Sequence, residues 1–227
     1  MWILGLTGAM GAGKSTLAKY FRLMGVPVHC ADRAIHSLLR KDIDIQQKIK
    51  FLWPEVFFNG KIDRSLLGDR VLSSPSDLAQ LEEILYPKLA KQQKEFLLKN
   101  QKHKAKFVVL DVPLLFEVGL DRYCHYVILA SAPLFLRKLR VLSRKGMAFQ
   151  KFQDFESHQL NDAQRRKRAD FMIPCGREKG SALKRIREIL YMLSQKSSPK
   201  WQGRWPTNFK REPYGQGNRF RHGNNRV

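Results

Sequence analysis

The sequence predicts an α/β protein: a parallel sheet of about five strands flanked by helices, with a helical insertion and a lid. Three observations carry this. Short apolar runs alternate with amphipathic stretches, a glycine-rich segment directly follows the first run, and about 75 residues separate the second run from the third, more than a simple crossover needs. The totals agree. In 227 residues, 43% hydrophobic and 27% charged is ordinary globular usage, which suits one core with an insertion and excludes wholesale disorder, a collagen-like chain or a coiled-coil rod.

Taken in order, the first strand is Trp2 to Leu6 (WILGL), and the first helix is Lys14 to Met24, where Leu17, Tyr20, Phe21 and Met24 recur at three- and four-residue spacing. Val26 to His29 is the second strand. Helical patterns at Arg33 to Leu39, Ile43 to Phe51 and Leu78 to Asn100 fill the long gap, so an insertion is expected over about 33–104. Strands follow at Lys106 to Leu110, Tyr126 to Ala130 and Phe171 to Pro174, with helices at Pro133 to Leu142 and Ser181 to Leu193. One domain over 1–194 is expected, with a basic lid over about 137–168.

Charge is the unusual quantity. Against 20 Asp and Glu stand 42 Lys and Arg, a net of +22, which implies anionic partners. Gln195 to Val227 carries a net +7 with four Gly and three Pro, and its apolar residues are isolated aromatics: Trp201, Trp205, Phe209, Tyr214 and Phe220. Having no periodic apolar pattern, this tail is expected to be disordered. The lid segment holds ten Lys or Arg and three acids, another +7, which suits closure over polyphosphate. Cys30, Cys124 and Cys175 are far apart and form no C-x-x-C pair, so neither a disulfide framework nor a zinc site is expected, and a reducing cytoplasm fits. Met1 to Thr7 is too short for a signal core. Asp111, Pro113 and Glu117 interrupt the greasiest stretch, Phe107 to Leu120, so no membrane span is expected.

The most informative residues are Gly8 to Thr16 (GAMGAGKST), a full G-x-x-x-x-G-K-[ST] match between a strand and a helix. Glycines let backbone N–H groups converge on phosphate oxygens, and the helix N-terminus adds partial positive charge. Gly11, Ala12, Gly13, Lys14, Ser15 and Thr16 are therefore expected to hold ATP, with Lys14 reaching the β- and γ-phosphates and the Ser15 hydroxyl on Mg²⁺. Two roles are open for Asp32, just past the second strand: proton acceptor for an attacking hydroxyl, or N-cap of the next helix. Asp111 ends the third strand, either as a Walker-B acid or as a structural acid before Pro113. Leu114, Leu115 and Phe116 read as core or as substrate wall.

The chain resembles the dephospho-CoA kinases from Ile3 to about Leu193. The resemblance rests on GLTGAMGAGKST, CADRAIH, NGKIDRSLL, ILYPKL, VLDVPLLFEVGL, LRVLSRKG followed by HQ, and KRADFMIPCG, in that order. It implies a P-loop NTPase fold with an acceptor-binding insertion, and phosphorylation by Mg-ATP of the ribose 3′-hydroxyl of dephospho-CoA, the last step of coenzyme A synthesis. It implies that Asp32 orients or deprotonates that hydroxyl and that Arg140 is a lid arginine neutralising the transferred phosphoryl group. On spacing alone, Arg137, Arg140 and Arg144 also read as a solvated basic face. This sequence departs from the family pattern at Cys30, Tyr86, Lys145 and Pro174-Cys175. The competing readings are a nucleoside or nucleotide kinase and a nucleic-acid-binding protein acting through the tail. A monomer or weak oligomer is expected.

Overall fold

The computed structural model describes residues 1–144, 149, 152–153, 156, 159–176 and 179–211. The chain runs β1 (Trp2–Thr7), α1 (Lys14–Leu23), β2 (Val28–Cys30), α2 (Ala31–Lys41) and α3 (Ile43–Leu52). A hairpin, β3 (Phe57–Phe58) and β4 (Lys61–Ile62), leads into α4 (Arg64–Leu72) and the long α5 (Pro75–Lys102). Then come β5 (Phe107–Asp111), β6 (Tyr126–Ser131), α6 (Leu134–Leu142), α7 (Asp162–Arg168), β7 (Phe171–Pro174) and α8 (Lys179–Ser194). Each expected strand and helix is present, with bounds shifted by three residues at most.

Five parallel strands form the main sheet in the order β2-β5-β1-β6-β7, with β1 at the centre. β1 is buried throughout, which is why WILGL is a continuous apolar run rather than an alternating one. The chain leaves β1 toward one edge and later returns to its other side, so the loop after β1 lies at the switch point of the sheet, where such folds bind ligands. Register aligns that edge. Leu6 pairs with Asp111, and Asp111 in turn with Cys30, so the ends of β1, β5 and β2 stand level.

Each face of the sheet has its own core. On one, Leu17 and Phe21 of α1 meet Ile186, Ile189 and Leu193 of α8, all at most 1% exposed. On the other, the insertion contributes Ile45, Ile49, Leu89 and Leu97. Burial of each such side chain contributes about 1.5–3 kcal/mol. Side-chain caps start the insertion helices: Asp42 accepts from the Ile45 N–H (3.1 Å), and Asp63 from those of Ser65 (2.8 Å) and Leu66 (3.1 Å). The β3–β4 hairpin and α4 were not expected. Two-residue strands are too short to alternate, although Asn59-Gly60, with φ of 49° and 73°, is a hairpin turn signal.

The expected disorder of the tail is overturned for residues 195–211. They form a strap without helix or strand. Trp201, Trp205 and Phe209 are 8, 6 and 5% exposed within the insertion-side core. The Met1 ammonium donates to Ser198 Oγ (2.6 Å) and the Pro199 carbonyl (2.7 Å), and Gln101 Nε2 donates to the Trp201 carbonyl (2.8 Å). Trp205 lies against Tyr123 and Phe209 against Tyr86, with ring centroids 5.6 and 5.7 Å apart. Burying an aromatic ring removes some 150–250 Å² from water, which offsets part of the cost of ordering this segment. Tyr214 and Phe220 lie outside the described residues, as does Lys145.

Candidate active site

The loop Gly8 to Thr16 lines a cleft of about 640 Å³ at the sheet edge. Gly13 ends the loop in the left-handed region (φ 98°), and a Cβ there would stand 2.7 Å from Cys175 Cβ; Gly11 (φ 78°) lies as close to the Arg137 carbonyl. Glycine is required at both positions. Ser15 and Thr16 open into the cleft at the start of α1. Lys14 Nζ pairs with Asp111 Oδ1 at 2.5 Å, the two side chains being 11 and 3% exposed. Asp111 is thus tied directly to the loop by the register of β1 with β5.

Arg140 reaches the cleft from α6. Its Nη1 donates to the Gly11 carbonyl (3.2 Å), and its Nη2 to the carbonyls of Cys175 (2.8 Å) and Gly176 (2.9 Å). The solvated-face alternative is therefore overturned for Arg140, which bridges two loops, and for Arg137, which is 3% exposed and bonds Glu156 (2.7 Å) and Asp162 (3.2 Å). Arg144 is exposed and lines the cleft. Among the described residues of 137–168, several of the cations are paired within the fold. Arg165 pairs with Asp162 (3.1 Å), and Arg168 with Asp121 (3.1 Å) while lying over the Phe116 ring.

Asp32 is not a helix cap. Cys30 holds the cap position of α2 without a side-chain bond, and Asp32 sits in the first turn, exposed. It lines the phosphate cleft and also a second, largely apolar pocket of about 380 Å³. Met10, Pro113 and Gln159 are likewise shared, so the two pockets adjoin. The second is walled by the insertion (Ile35, Val71, Leu89), by Leu114 beyond β5, and by Phe209 and Arg211 of the strap. Of Leu114 to Phe116, Leu115 and Phe116 are core, while Leu114 packs against that core and lines the apolar pocket.

Burial pushes the Cys175 thiol up to about 11, so it remains a thiol near neutrality even though it lines the cleft. Among the described residues no three His, Cys, Asp or Glu are grouped to hold a metal. The oxygen donors in the cleft include the Ser15 and Thr16 hydroxyls and the Asp32 carboxylate, with the Asp111 carboxylate behind them on Lys14. That sparse, hard set fits Mg²⁺, which keeps several waters and is held largely through substrate phosphates.

A glycine-bounded loop between a central strand and a helix, with its lysine on an acid at the next strand end, defines a P-loop kinase fold. The dephospho-CoA kinase family model matches residues 2–178. The dephospho-CoA kinase of Agrobacterium fabrum is 37% identical over 193 residues, covering 85% of this chain and 98% of that protein. That of Rhodospirillum rubrum is 40% identical over 191 residues, covering 84 and 90%. Among solved structures, a Thermus thermophilus protein is similar with a TM-score of 0.75 and 31% identity, covering 84 and 96%. A shikimate kinase from Bacteroides thetaiotaomicron shares the fold alone (TM-score 0.50, 17% identity, 84 and 98% covered). The chain belongs to the dephospho-CoA kinase family.

Of the residues singled out from the sequence, Gly11 to Thr16, Asp32 and Arg140 line one cleft, while Asp111 is buried behind it on Lys14. Gln159, present in the HQ pair, was given no site role, and Phe209 and Arg211 were missed because they lie in the strap, which forms neither helix nor strand.

Proposed function

We propose that this chain transfers the γ-phosphoryl group of ATP to the 3′-hydroxyl of dephospho-CoA, giving CoA and ADP, and does so in the cytoplasm. The observation that supports this most is the position of Asp32 at the junction of a phosphate cleft and an apolar pocket. In this reading the backbone of Gly11 to Ser15 and the Lys14 ammonium bind the ATP phosphates, and the Asp32 carboxylate takes the proton of the 3′-hydroxyl. The 3′-oxygen then forms its bond to the γ-phosphorus as the bond to the β-γ bridging oxygen breaks, leaving ADP. Arg140 neutralises charge that spreads over the transferring group. Ser15, with Asp111 through water, would hold Mg²⁺, which would supply positive charge to offset that of the phosphates.

The apolar pocket suits an acceptor whose bulk is buried beside its reacting hydroxyl. Family membership agrees. Cys30, Cys124 and Cys175 are free thiols, and among the described residues no helix is long and apolar enough to cross a membrane. Trp201 and Trp205 are buried in the core, which leaves them little surface for stacking on bases. Incubation with Mg-ATP and dephospho-CoA, with adenosine as a parallel acceptor, is expected to yield ADP and CoA by mass from dephospho-CoA. No product at micromolar enzyme, or phosphorylation of the nucleoside alone, would sink the reading.

A further inference from the structure

The strap lies beyond the family-model match, which ends at residue 178, yet it supplies part of the acceptor pocket. Its end is fixed with care. The Phe209 ring packs against Tyr86 of α5, and Arg211 Nε donates to Glu82 Oε1, one helical turn earlier on α5, at 2.7 Å. Tyr86 also interacts with both Glu82 and Arg211, so the apolar wall and the charged pair are one connected unit. That unit stands on the same pocket as Asp32.

We propose that residues 195–211 complete the acceptor site, with Phe209 as a wall for the apolar body of the acceptor and Arg211 as the cation that recognises its diphosphate. This rests on dephospho-CoA being the acceptor. Dephospho-CoA carries, on one molecule, a hydroxyl to be placed at Asp32 and a diphosphate that needs a cation in reach of the same pocket. Lys14 and Arg140 line the other cleft, the one assigned to ATP in this reading. Among the residues lining the acceptor pocket, Arg211 is the cation, and one bond to Glu82 does not exhaust a guanidinium, which has five N–H donors in a planar fork. Its side chain is 28% exposed, partly desolvated but open to a ligand. Glu82 thereby becomes a positioning residue: it aims Arg211 and in turn competes with the substrate for it.

The experiment is steady-state kinetics on the full chain, varying dephospho-CoA and ATP separately, for wild type, Arg211→Gln, Arg211→Lys, Glu82→Gln and Phe209→Leu. Arg211→Gln is expected to raise KM for dephospho-CoA about tenfold, the loss of one charge-assisted contact, with KM for ATP within about twofold. Arg211→Lys recovers part of the loss, because the charge returns without the fork. Glu82→Gln separates recognition from mere bracing. It removes the same ion pair, but it leaves the acceptor KM unchanged or lower because Arg211 keeps its charge, whereas a strap that only braces the fold predicts the same rise for both variants. Phe209→Leu, which keeps apolar volume, raises the acceptor KM by about threefold or less. Equal acceptor KM in wild type and Arg211→Gln, with CoA formed normally, overturns the role of the strap and leaves the kinase reading standing. If wild type forms no CoA, the acceptor assignment fails and this inference falls with it.

Discussion

The phosphate cleft and the apolar pocket adjoin at one sheet edge and share Asp32, yet they are assembled in opposite ways. The cleft is mostly one contiguous stretch, Gly8 to Leu17, held by positive-φ glycines and a helix start. The pocket gathers side chains from Met10 to Arg211, across α2, α4, α5, the end of β5 and the strap. Phosphate is recognised by backbone N–H groups, so the chemistry dictates a local motif. An apolar acceptor needs only surface of the right shape, which any distant part of the chain can supply.

If the cleft does the chemistry and the pocket the selection, substitutions should divide accordingly. Largest is Lys14→Ala, expected to cut kcat by about 10³-fold or more by removing a cation from the transferring group, while the fold persists by circular dichroism. A rate near wild type would break the division outright. Asp32→Asn is expected to lower kcat by about 10²- to 10⁴-fold with the melting temperature nearly unchanged, because the exposed carboxylate caps nothing. A loss of folding instead would return Asp32 to a structural role. Arg140→Ala should reduce kcat/KM for ATP by about 10²-fold and leave KM for dephospho-CoA alone; Arg140→Lys should rescue little, since one ammonium cannot span the carbonyls of Gly11, Cys175 and Gly176.

The smallest effect is on stability at acid pH, and it locates in the two cores. Burial lowers His29 and His125 from 6.5 to about 4, with the N-terminal ammonium adding to the depression at His125. His29 packs against Phe96 of α5; His125 accepts the Ile3 N–H at 2.9 Å through Nδ1. Below about 6.5 the unfolded chain takes up protons that the folded chain refuses until about 4. Stability therefore falls as pH drops through that window and is level above it. Melting temperatures at pH 7.5 and 5 should show the fall, and His29→Gln should flatten it on the acceptor side; a profile unchanged by either His29→Gln or His125→Gln would remove both groups from the account.

Much of the fold was legible because its elements are long or buried on both sides. A run such as WILGL has few alternatives, and Leu17, Phe21 and Met24 mark a helix face without any tertiary knowledge. The cleft was legible because a phosphate cradle is a chain-local device. What escaped was set by side chains meeting across long separations. Arg137 and Arg165 sit in a stretch whose composition reads as solvated, and only folding brings Glu156 and Asp162 against them. The two-residue strands of the hairpin are below the length at which alternation shows. The strap hid most completely: Trp201, Trp205 and Phe209 occur at four-residue intervals, but no helix is formed, and each ring finds its place in surface prepared by α5 and the turn at 120–123.

The strap also sets an order of events. Its contacts tie Ser198 and Pro199 to Met1, Trp201 to Gln101 and Arg211 to Glu82, spanning 100 to 198 positions. Contacts of such separation carry the full entropy of loop closure and form late. During synthesis, a chain emerging from its N-terminus can build the β1 to α1 cradle when little of it has been made, whereas the apolar pocket gains its last wall only after residue 211 has been released. The phosphate loop is thus complete well before the pocket that adjoins it.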